Sequence, residues 1–119
     1  MRGEDDIPED LRPLVRALIA DIVADRHEAL AADRRIGRVR VDDLRREIED
    51  YPATLAPLPD EAFDLGGYAW DIENTQPQQS AIDQVLWTVE EGCSDLEVRA
   101  DICWRNGQYQ IELQEILVP

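Results

Sequence analysis

The stretch that decides the fold is DLEVRADICWRNGQYQIELQ, residues 95–114. Apolar and polar side chains alternate in residues 95–104, which is the period of a β-strand with one buried face. Asn106-Gly107 is the dipeptide most typical of a two-residue hairpin turn. A turn of this length sets the following residues opposite one another: Arg105 and Gln108, Trp104 and Tyr109, Ile102 and Ile111, Asp101 and Glu112, and Ala100 and Leu113. The turn length and the alternation give the same register, so the sequence predicts a β-hairpin.

Two shorter strand candidates precede this hairpin, at residues 68–72 and 80–89. The second reads SAIDQVLWTV, and its two-residue period places Val85, Trp87 and Val89 on one face, which we expect to face the core. The alternation in the hairpin likewise points Trp104 inward. We therefore expect these two tryptophans to be core residues. The turn-forming segments between the strands are residues 74–77 and 90–94.

The N-terminal part of the chain has the period of a helix. Apolar residues recur at steps of three and four over residues 8–35, which predicts one long amphipathic helix that ends before Gly37. His27 falls near the end of this helix and is expected to lie on its surface. A shorter helix is expected over residues 42–51, because Pro52 ends it.

These elements predict an α+β fold, in which two N-terminal helices pack on one face of an antiparallel meander sheet of about four strands. Residues 1–119 are expected to form a single acidic domain, since 119 residues is close to the commonest domain size. Its helical part covers residues 1–51, a crossover loop covers residues 52–65, and the sheet covers residues 66–119.

The net charge of −15 is distributed unevenly along the chain. From residue 51 onward there are 13 acidic residues and two basic ones. Such a surface repels nucleic acid and anionic membranes, and it attracts a basic protein over roughly 8–10 Å, the Debye length near physiological salt. All 12 basic residues are arginine. Codon bias in a GC-rich genome or adaptation to high salt would also produce this composition, so the local distribution of charge is the better guide to function.

Patterns typical of redox, metal or catalytic sites are missing from the sequence. Cys93 and Cys103 fall at opposite ends of a predicted strand, ~30 Å apart, which is too far for a disulfide. The single histidine, His27, is distant in sequence from both cysteines, so we predict no metal site and no cofactor. There is no Gly-rich phosphate loop and no nucleophile elbow. These observations favour a protein that is not an enzyme, although an apolar active-site pocket would leave no such pattern.

No stretch approaches the roughly 18 apolar residues that a membrane helix needs. The N-terminal residues 1–6, MRGEDD, are acidic and lack the apolar segment of a secretory signal. The sequence therefore predicts a cytoplasmic protein that does not bind membranes.

Carboxylates of the C-terminal part supply the candidate partner-binding residues. Asp101 faces Glu112 across the predicted hairpin, which is unfavourable unless a positive group lies between them. A docking surface for a basic protein would explain this arrangement, and so would a solvated face with Arg99 as the counter-charge. The candidate docking residues are Glu90, Glu91, Asp95, Glu97, Asp101 and Glu112.

The segment LWTVEEGCSDL, residues 86–96, resembles the central signature of a family of small bacterial proteins of unknown function. In that family a strand ending in Leu-Trp-Thr runs into Glu-Glu-Gly, and Ser-Asp-Leu begins the next strand. The resemblance extends over about residues 40–118. It implies a bacterial source and a shared fold, and it implies no activity.

The leading hypothesis is a small acidic protein that docks a basic macromolecule, in its most concrete form an immunity or antitoxin-like inhibitor of a nuclease-type toxin. Nuclease active sites are positively charged, and an acidic protein can occupy them by charge mimicry. One alternative is a small-ligand-binding domain or enzyme with a pocket between the first helix and the sheet, lined by Trp70 and Trp87. Another is a homodimeric structural or regulatory domain, and the sequence leaves the oligomeric state open.

Overall fold

The computed structural model describes residues 5–75 and 79–118. Its elements are α1 Arg12–Val23, α2 His27–Ala32, α3 Val41–Asp50, β1 Leu55–Ala56, α4 Ala62–Gly66, β2 Gly67–Ile72, β3 Gln79–Thr88, β4 Gly92–Arg105 and β5 Gln108–Leu117. Helices and an antiparallel sheet give the α+β class that the sequence predicts. Residues 1–4 of the acidic N-terminus and part of the predicted turn at residues 74–77 lie outside the described residues. None of the helices in the described ranges is long and apolar enough to cross a membrane.

The sheet has five strands, and every strand pairs with its neighbours in antiparallel orientation. β3 pairs with β4, and β4 pairs with β5. β1 and β2 both pair with β3 along its other side, at opposite ends of that strand. One strand more than expected is present because residues 52–65, predicted as a loop, include β1. The second half of the same segment begins α4.

The β4–β5 hairpin has the predicted register, including the pairs Ile102 with Ile111 and Asp101 with Glu112. Both turn residues adopt the left-handed conformation, with φ 52° at Asn106 and 79° at Gly107. Positive φ at both central residues is what a type I′ turn requires. Beyond Ala100 the register shifts by one residue at a bulge, so that Arg99 pairs with Glu115.

One buried core joins the helices to the sheet. Its members include Val15, Leu18, Ile19 and Ile22 of α1, Leu96, Val98, Ala100 and Ile102 of β4, and Ile111, Leu113 and Ile116 of β5. The even-numbered residues of β4 from Leu96 to Ile102 therefore form the core face. The odd-numbered residues from Glu97 to Cys103, with their neighbours on β3 and β5, form the opposite face, which we name the outer face.

The predicted single helix over residues 8–35 is wrong, because α1 and α2 are separate helices. Between them Asp25 adopts a left-handed conformation with φ 59°. The Arg26 N–H donates to the Asp21 carbonyl at 2.9 Å, and the Asp25 N–H donates to the Ile22 carbonyl at 3.1 Å. This pair of bonds is a Schellman helix end. This helix end was not predictable, because the left-handed position holds an aspartate and not the glycine that usually signals it.

The same break explains why the expectation for His27 is wrong. His27 is buried, with 2% of its surface exposed. Its Nε2 lies 2.9 Å from a carboxylate oxygen of Asp25, and within the described residues its Nδ1 has no hydrogen-bond partner. Because α2 changes direction after Asp25, the orientation of its side chains does not follow from the apolar stripe of α1.

The predicted inward face of β3 is also wrong. Ile82 and Leu86 are the core residues of this strand, whereas Val85 and Trp87 are half-buried and Val89 is 72% exposed. Trp87 packs against the edge of the core. The sequence of β3 carries apolar residues on both faces, so alternation alone cannot choose between them.

Two polar residues on the core side of β3 added to this ambiguity. Gln84 and Thr88 are both buried. The Gln84 amide donates to the Ala62 carbonyl at 3.0 Å and to the Val85 carbonyl at 2.9 Å. Because hydrogen bonds offset much of the cost of burying these polar groups, the core tolerates residues that a hydrophobic pattern would place outside.

The expectation that Trp104 is a core residue is wrong as well. Its ring is edge-on to that of Tyr109, with 4.7 Å between the ring centroids, and 49% of Trp104 is exposed. The two residues have the inward phase of the hairpin but lie beside its turn, at the end of the sheet. Alternation predicts on which face of the sheet a residue lies, but it does not predict how far along the strand the core extends.

We expect Gly107→Ala to lower the free energy of unfolding by about 1–2 kcal/mol, the cost of a left-handed non-glycine residue. A Cβ at this position would meet no atom within 4 Å, so the cost is wholly conformational. Chemical denaturation followed by circular dichroism measures it. The matched control Asn106→Gly should change stability by no more than about 0.5 kcal/mol. Equal effects of the two substitutions would contradict the turn assignment.

Candidate functional site

The six candidate docking residues fall into two neighbouring groups. The face group, on the outer face, is Glu97, Asp101 and Glu112, and the turn cluster, at the β3–β4 turn, is Glu90, Glu91 and Asp95. Within the face group, Glu97 and Asp101 are four residues apart on β4, about 13 Å at ~3.3 Å per residue. The structure therefore places the six residues along one end and one face of the sheet, and the surroundings of the two groups differ.

Arg99 neutralises the middle of the outer face. Its Nε lies 2.8 Å from Asp83 Oδ1, and one of its terminal nitrogens lies 3.2 Å from Glu115 Oε1. Asp83, Arg99 and Glu115 are cross-strand neighbours on β3, β4 and β5. The hydrogen bond to Asp83 raises the pKa of Arg99. Arg99 is thus ion-paired with Asp83 and Glu115, whereas the sequence predicted it as the counter-charge of Asp101 and Glu112.

The carboxylates Asp101 and Glu112, which face each other across the β4–β5 pair, are surrounded by Gln114 of β5 and by Arg38 from the segment before α3. Gln114 Nε2 donates to Glu112 Oε1 at 2.9 Å, and Gln114 Oε1 accepts from the Arg38 backbone N–H at 2.9 Å. Burial raises the pKa of Asp101; the Arg38 charge opposes this rise and the Glu112 charge adds to it. A Cβ at Gly37 would collide with the ends of the Glu112 and Gln114 side chains, so a larger residue there would require these two side chains to move. A helical-part arginine therefore supplies the positive group that the pair requires.

In the turn cluster, neutral donors fix two of the carboxylates. Glu90 accepts the Thr54 N–H at 2.9 Å and the Thr54 hydroxyl at 3.2 Å. The Thr54 amide is the main cause that lowers the pKa of Glu90. Glu91 accepts the Tyr51 hydroxyl at 2.9 Å and the Thr88 hydroxyl at 3.1 Å. Because these donors carry no charge, the carboxylates are held in place while their negative charge stays uncompensated.

Asp95 completes the turn cluster next to the same tyrosine. Its backbone N–H donates to the Tyr51 hydroxyl at 3.1 Å. All three acidic residues of the cluster are exposed. Across residues 5–75 and 79–118, no arginine or histidine forms a salt bridge with any of the three. The cluster is thus an exposed patch of negative charge that is ordered at Glu90 and Glu91 and has no counter-charge among the described residues.

Ser94 closes the same turn from inside the sheet. Its hydroxyl donates to the Leu86 carbonyl at 2.8 Å and accepts the Leu96 N–H at 3.1 Å. Ser94 is buried. The Thr88 hydroxyl accepts the Glu91 N–H at 3.0 Å. The hydroxyls of Ser94 and Thr88 therefore bond to backbone groups that the irregular strand pairing at this turn does not satisfy. The polar residues of the segment 86–96 therefore have a structural role in the β3–β4 connection.

Trp70 and Trp87 do not share a pocket. Trp70 lines a surface hollow of about 700 Å³ between β2 and the start of the helical part, where it is accompanied by Leu11. Trp87 pairs with Cys93 near the turn end of β3 and is not among the residues that line this hollow. The hollow lies beside β2 and the segment that precedes α1, and it contains one of the two tryptophans.

Sequence reasoning missed the side chains that hold the carboxylates. Tyr51 and Thr54 lie 40 and 36 residues from their partners Glu91 and Glu90, and Arg38 lies 76 residues from Gln114. No local pattern signals contacts of this range. The one available signal was electrostatic, since two facing carboxylates require a positive group nearby.

The site offers fixed negative charge and hydrogen-bond acceptors to a cationic group. In the described part of the chain, no group of three His, Cys, Asp or Glu side chains is arranged to hold a metal ion. Cys93 is exposed and Cys103 is half-buried, and both are free thiols. A guanidinium or ammonium group is the chemical class that an ordered carboxylate patch accommodates best.

Residues 16–119 match the model of a family described as a domain of unknown function, DUF7668. The chain belongs to this family. The matched region includes the hairpin, the segment 86–96 and all six candidate docking residues. No curated protein and no solved structure matches the chain at a significant level.

We expect Ser94→Ala to lower the free energy of unfolding by about 1–3 kcal/mol, because the Leu86 carbonyl and the Leu96 N–H would lose a buried partner. Urea denaturation measures the change. The neighbouring substitution Cys93→Ala, at an exposed thiol, is the control and should change stability by no more than about 0.5 kcal/mol. A loss that is the same for both variants would show that the hydroxyl has no structural role.

Asp101 and Glu90 should affect the pH dependence of stability with opposite signs. The raised pKa of Asp101 gives stability that is present at low pH and lost as pH rises through the folded-state pKa. The lowered pKa of Glu90 gives stability that is present near neutral pH and lost as pH falls. Between about pH 4 and pH 7, Asp101→Asn should therefore gain stability relative to wild type as pH rises, and Glu90→Gln should lose it. Denaturation curves over this range test the signs, and slopes of equal sign would contradict the assigned surroundings.

Proposed function

We propose that this DUF7668 protein binds a basic protein partner through the turn cluster, extended along the outer face by Glu97. The observation that carries the proposal is the state of Glu90, Glu91 and Asp95. They are exposed and lie around the hydroxyl and amide donors of Tyr51 and Thr54. Within the described residues they have no cationic partner, so their charge is available to one from outside.

Order in this patch favours binding because less entropy is lost when a partner arrives. A free glutamate side chain loses rotamer freedom of roughly 0.5–1.5 kcal/mol when an interface immobilises it. Glu90 and Glu91 are already immobilised by Thr54 and Tyr51. Glu90 is ionised at neutral pH, and the hydrogen bond from the Thr54 amide, which lowers its pKa, keeps it charged further into the acidic range. The patch can therefore attract a cationic surface and receive it without rearrangement.

A nuclease-type toxin is the partner class that this electrostatic argument fits most closely, which makes an immunity-like inhibitor the concrete form of the proposal. Such enzymes hold phosphates in positively charged sites, and ordered carboxylates can take the place of phosphates there. The net charge of −15 would steer the encounter, and steering of this kind raises association rates by roughly 10- to 1000-fold at low salt.

Two further parts of the proposal concern the fold. We place the N-terminal helices on the core face alone, which leaves the outer face open; the contribution of α1 to the core around Val98 and Leu113 supports this. We also propose that the segment 86–96 is a shared feature of the family. Its support is the role of Thr88, Glu91 and Ser94 in closing the β3–β4 turn.

The test is affinity capture from a lysate of the source cells with three baits of known charge. The first is wild type, and the second is Glu90→Gln with Asp95→Asn, which removes two charges from the turn cluster. The third is Glu61→Gln with Asp64→Asn, which removes two charges from exposed residues around α4. The second and third baits have the same net charge, so only the position of the charge differs.

Wild type and the α4 variant should capture the same basic protein at low salt, and the turn-cluster variant should lose it. With the purified partner, the association rate of the turn-cluster variant should fall roughly tenfold at low ionic strength. Unchanged capture by the turn-cluster variant, with its fold intact by circular dichroism, would refute the proposal. Equal losses in both variants would show that total charge and not the cluster recruits the partner.

A further inference from the structure

A surface hollow of about 330 Å³, which we name the β5 hollow, lies between α1 and the turn end of β5. Its volume is within the range of small-molecule sites, roughly 300–1,000 Å³. Its apolar wall consists of Leu14 and Ala17 of α1 and of Tyr109 and Ile111 of β5. Tyr109 is 41% exposed, and the Trp104 ring packs edge-on against it. Aromatic rings left exposed beside a hollow provide apolar surface that a ligand can cover.

The backbone around Arg34 holds this residue in the lining of the β5 hollow. Arg34 has φ 58°. Its N–H donates to the Ala31 carbonyl at 3.1 Å, and the Arg35 N–H donates to the Leu30 carbonyl at 2.9 Å. α2 therefore ends in a Schellman motif with Arg34 at the left-handed position. Directly afterwards the Arg35 carbonyl accepts the Leu113 N–H at 2.7 Å, which joins the segment to the edge of β5.

The left-handed conformation of Arg34 is strained, because glycine is the usual residue at such a helix end. Asp25, the corresponding residue at the end of α1, has side-chain partners, since its carboxylate contacts His27 and Arg45. The Arg34 side chain has neither an ion pair nor a hydrogen bond in the described part of the chain. Backbone strain at a residue whose side chain makes no internal contact points to a function outside the fold.

The charge of the β5 hollow differs from that of the chain as a whole. Its described charged residues are one acid, Asp33, and two arginines, Arg34 and Arg35, whereas the net charge of the chain is −15. Arg35 lies 2.8 Å from Asp21 and 3.4 Å from Asp33. The charge of Arg35 is therefore compensated and that of Arg34 is not. A free guanidinium beside an apolar wall is complementary to an anion with an apolar body.

We infer that the β5 hollow binds a small carboxylate with an apolar, preferably aromatic, body. The Arg34 guanidinium donates to both oxygens of the carboxylate, the geometry for which an arginine fork is suited. The body of the ligand covers Leu14 and Ala17 on one side and Tyr109 on the other. Burial of this apolar surface gives affinity, and the guanidinium selects the charge.

Arg34 also lines a second hollow, of about 390 Å³, on the outer face. In that hollow three carboxylates, from Asp33, Asp101 and Glu112, outnumber the two described arginines, Arg34 and Arg105. None of these carboxylates forms an ion pair with Arg34. Because its described lining is mainly acidic, the second hollow does not favour an anion. The β5 hollow is therefore the site that suits the carboxylate.

The β5 hollow is separate from the sites considered above. Tyr109 lies beside the β4–β5 turn, whereas the turn cluster surrounds the opposite end of β4. β3 and β4 lie between β5 and the hollow beside β2. Neither Trp70 nor Trp87, which the sequence predicted to line a pocket, is among the described lining residues of the β5 hollow. The inference therefore does not rest on the proposed function.

The probes are three small molecules, titrated into the full ¹⁵N-labelled chain. Hydrocinnamate has a carboxylate and an aromatic body, and it should cause saturable shift changes at the amides of Ala17, Tyr109 and Ile111. Hydrocinnamamide has the same shape without the charge and should bind roughly tenfold more weakly, because charge-assisted hydrogen bonds are lost. Acetate has the charge without the body and should give no saturable change in the same concentration range.

Substitutions at two arginines separate the site from total charge. Arg34→Gln should weaken hydrocinnamate roughly tenfold and abolish the preference for the acid over the amide. Arg34→Lys keeps the charge and should restore part of this preference. The matched control is Arg40→Gln, because Arg40 is also exposed, has no ion pair among the described residues and does not line the β5 hollow. It changes the net charge equally and should bind as wild type does.

A second pair of variants tests the apolar wall. Ala17→Leu adds bulk at an exposed helix position in the lining, so it should weaken hydrocinnamate and hydrocinnamamide by a similar factor. Ala29→Leu makes the same change at an exposed position of α2 outside the described lining, and it should leave both affinities unchanged. The Glu90→Gln, Asp95→Asn variant should also bind hydrocinnamate as wild type does, so this test and that of the proposed function can fail separately.

Four results would overturn the inference. Two of them are the absence of saturable hydrocinnamate binding and equal affinity of the acid and the amide on wild type. The third is an equal loss of affinity in Arg34→Gln and Arg40→Gln. The fourth is a set of shift changes centred on Asp101 and Cys103, which would assign the ligand to the second hollow. If Arg34→Gln does not fold, the comparison of acid and amide on wild type decides the question.

Discussion

The two-residue turn at Asn106-Gly107 is the constraint on which the rest of this structure depends. It fixes the β4–β5 pairing, and because side chains alternate along a strand, a slip of one residue would exchange the two faces of the sheet. Glu97, Arg99 and Asp101 would then enter the core. The left-handed conformation of both turn residues is available at low cost to asparagine and glycine. A local backbone preference therefore determines which charges reach the surface.

At the other end of β4, the β3–β4 turn is irregular, and hydrogen bonds from side chains stabilise it. Ser94 and Thr88 bond to backbone groups of this connection, while Tyr51 and Thr54 reach it from the segment after α3. The carboxylates of Glu90 and Glu91 are the acceptors in this arrangement. They thus have a structural role, and the same contacts make them an ordered charged surface.

The accuracy of sequence reasoning followed the range of the interactions involved. The hairpin register was predictable because a turn type and a local alternation agree. The end of α1 was not, because Asp25 takes a conformation usually signalled by glycine. The face of β3 was not either, because its core side includes the polar residue Gln84. Its side-chain N–H donates to the Ala62 carbonyl of α4, while its Oε1 has no partner among the described residues. The face group was found by alternation. The charge of Arg38, which opposes the rise in the pKa of Asp101, was not predictable, because Arg38 is brought there by a contact with Gln114 that spans 76 residues.

The placement of charge argues against composition as its sole explanation. Codon bias or salt adaptation would add carboxylates wherever solvent reaches, without regard to their neighbours. Here arginines pair internally with particular carboxylates, as Arg16 does with Asp60 at 2.7 Å and Arg99 does with Asp83 at 2.8 Å. In the turn cluster, the carboxylates of Glu90 and Glu91 are instead held by uncharged hydroxyl and amide groups. Neutral donors hold a carboxylate in position without cancelling its negative charge. A surface that is both ordered and negatively charged has the properties that recognition of a cationic group requires.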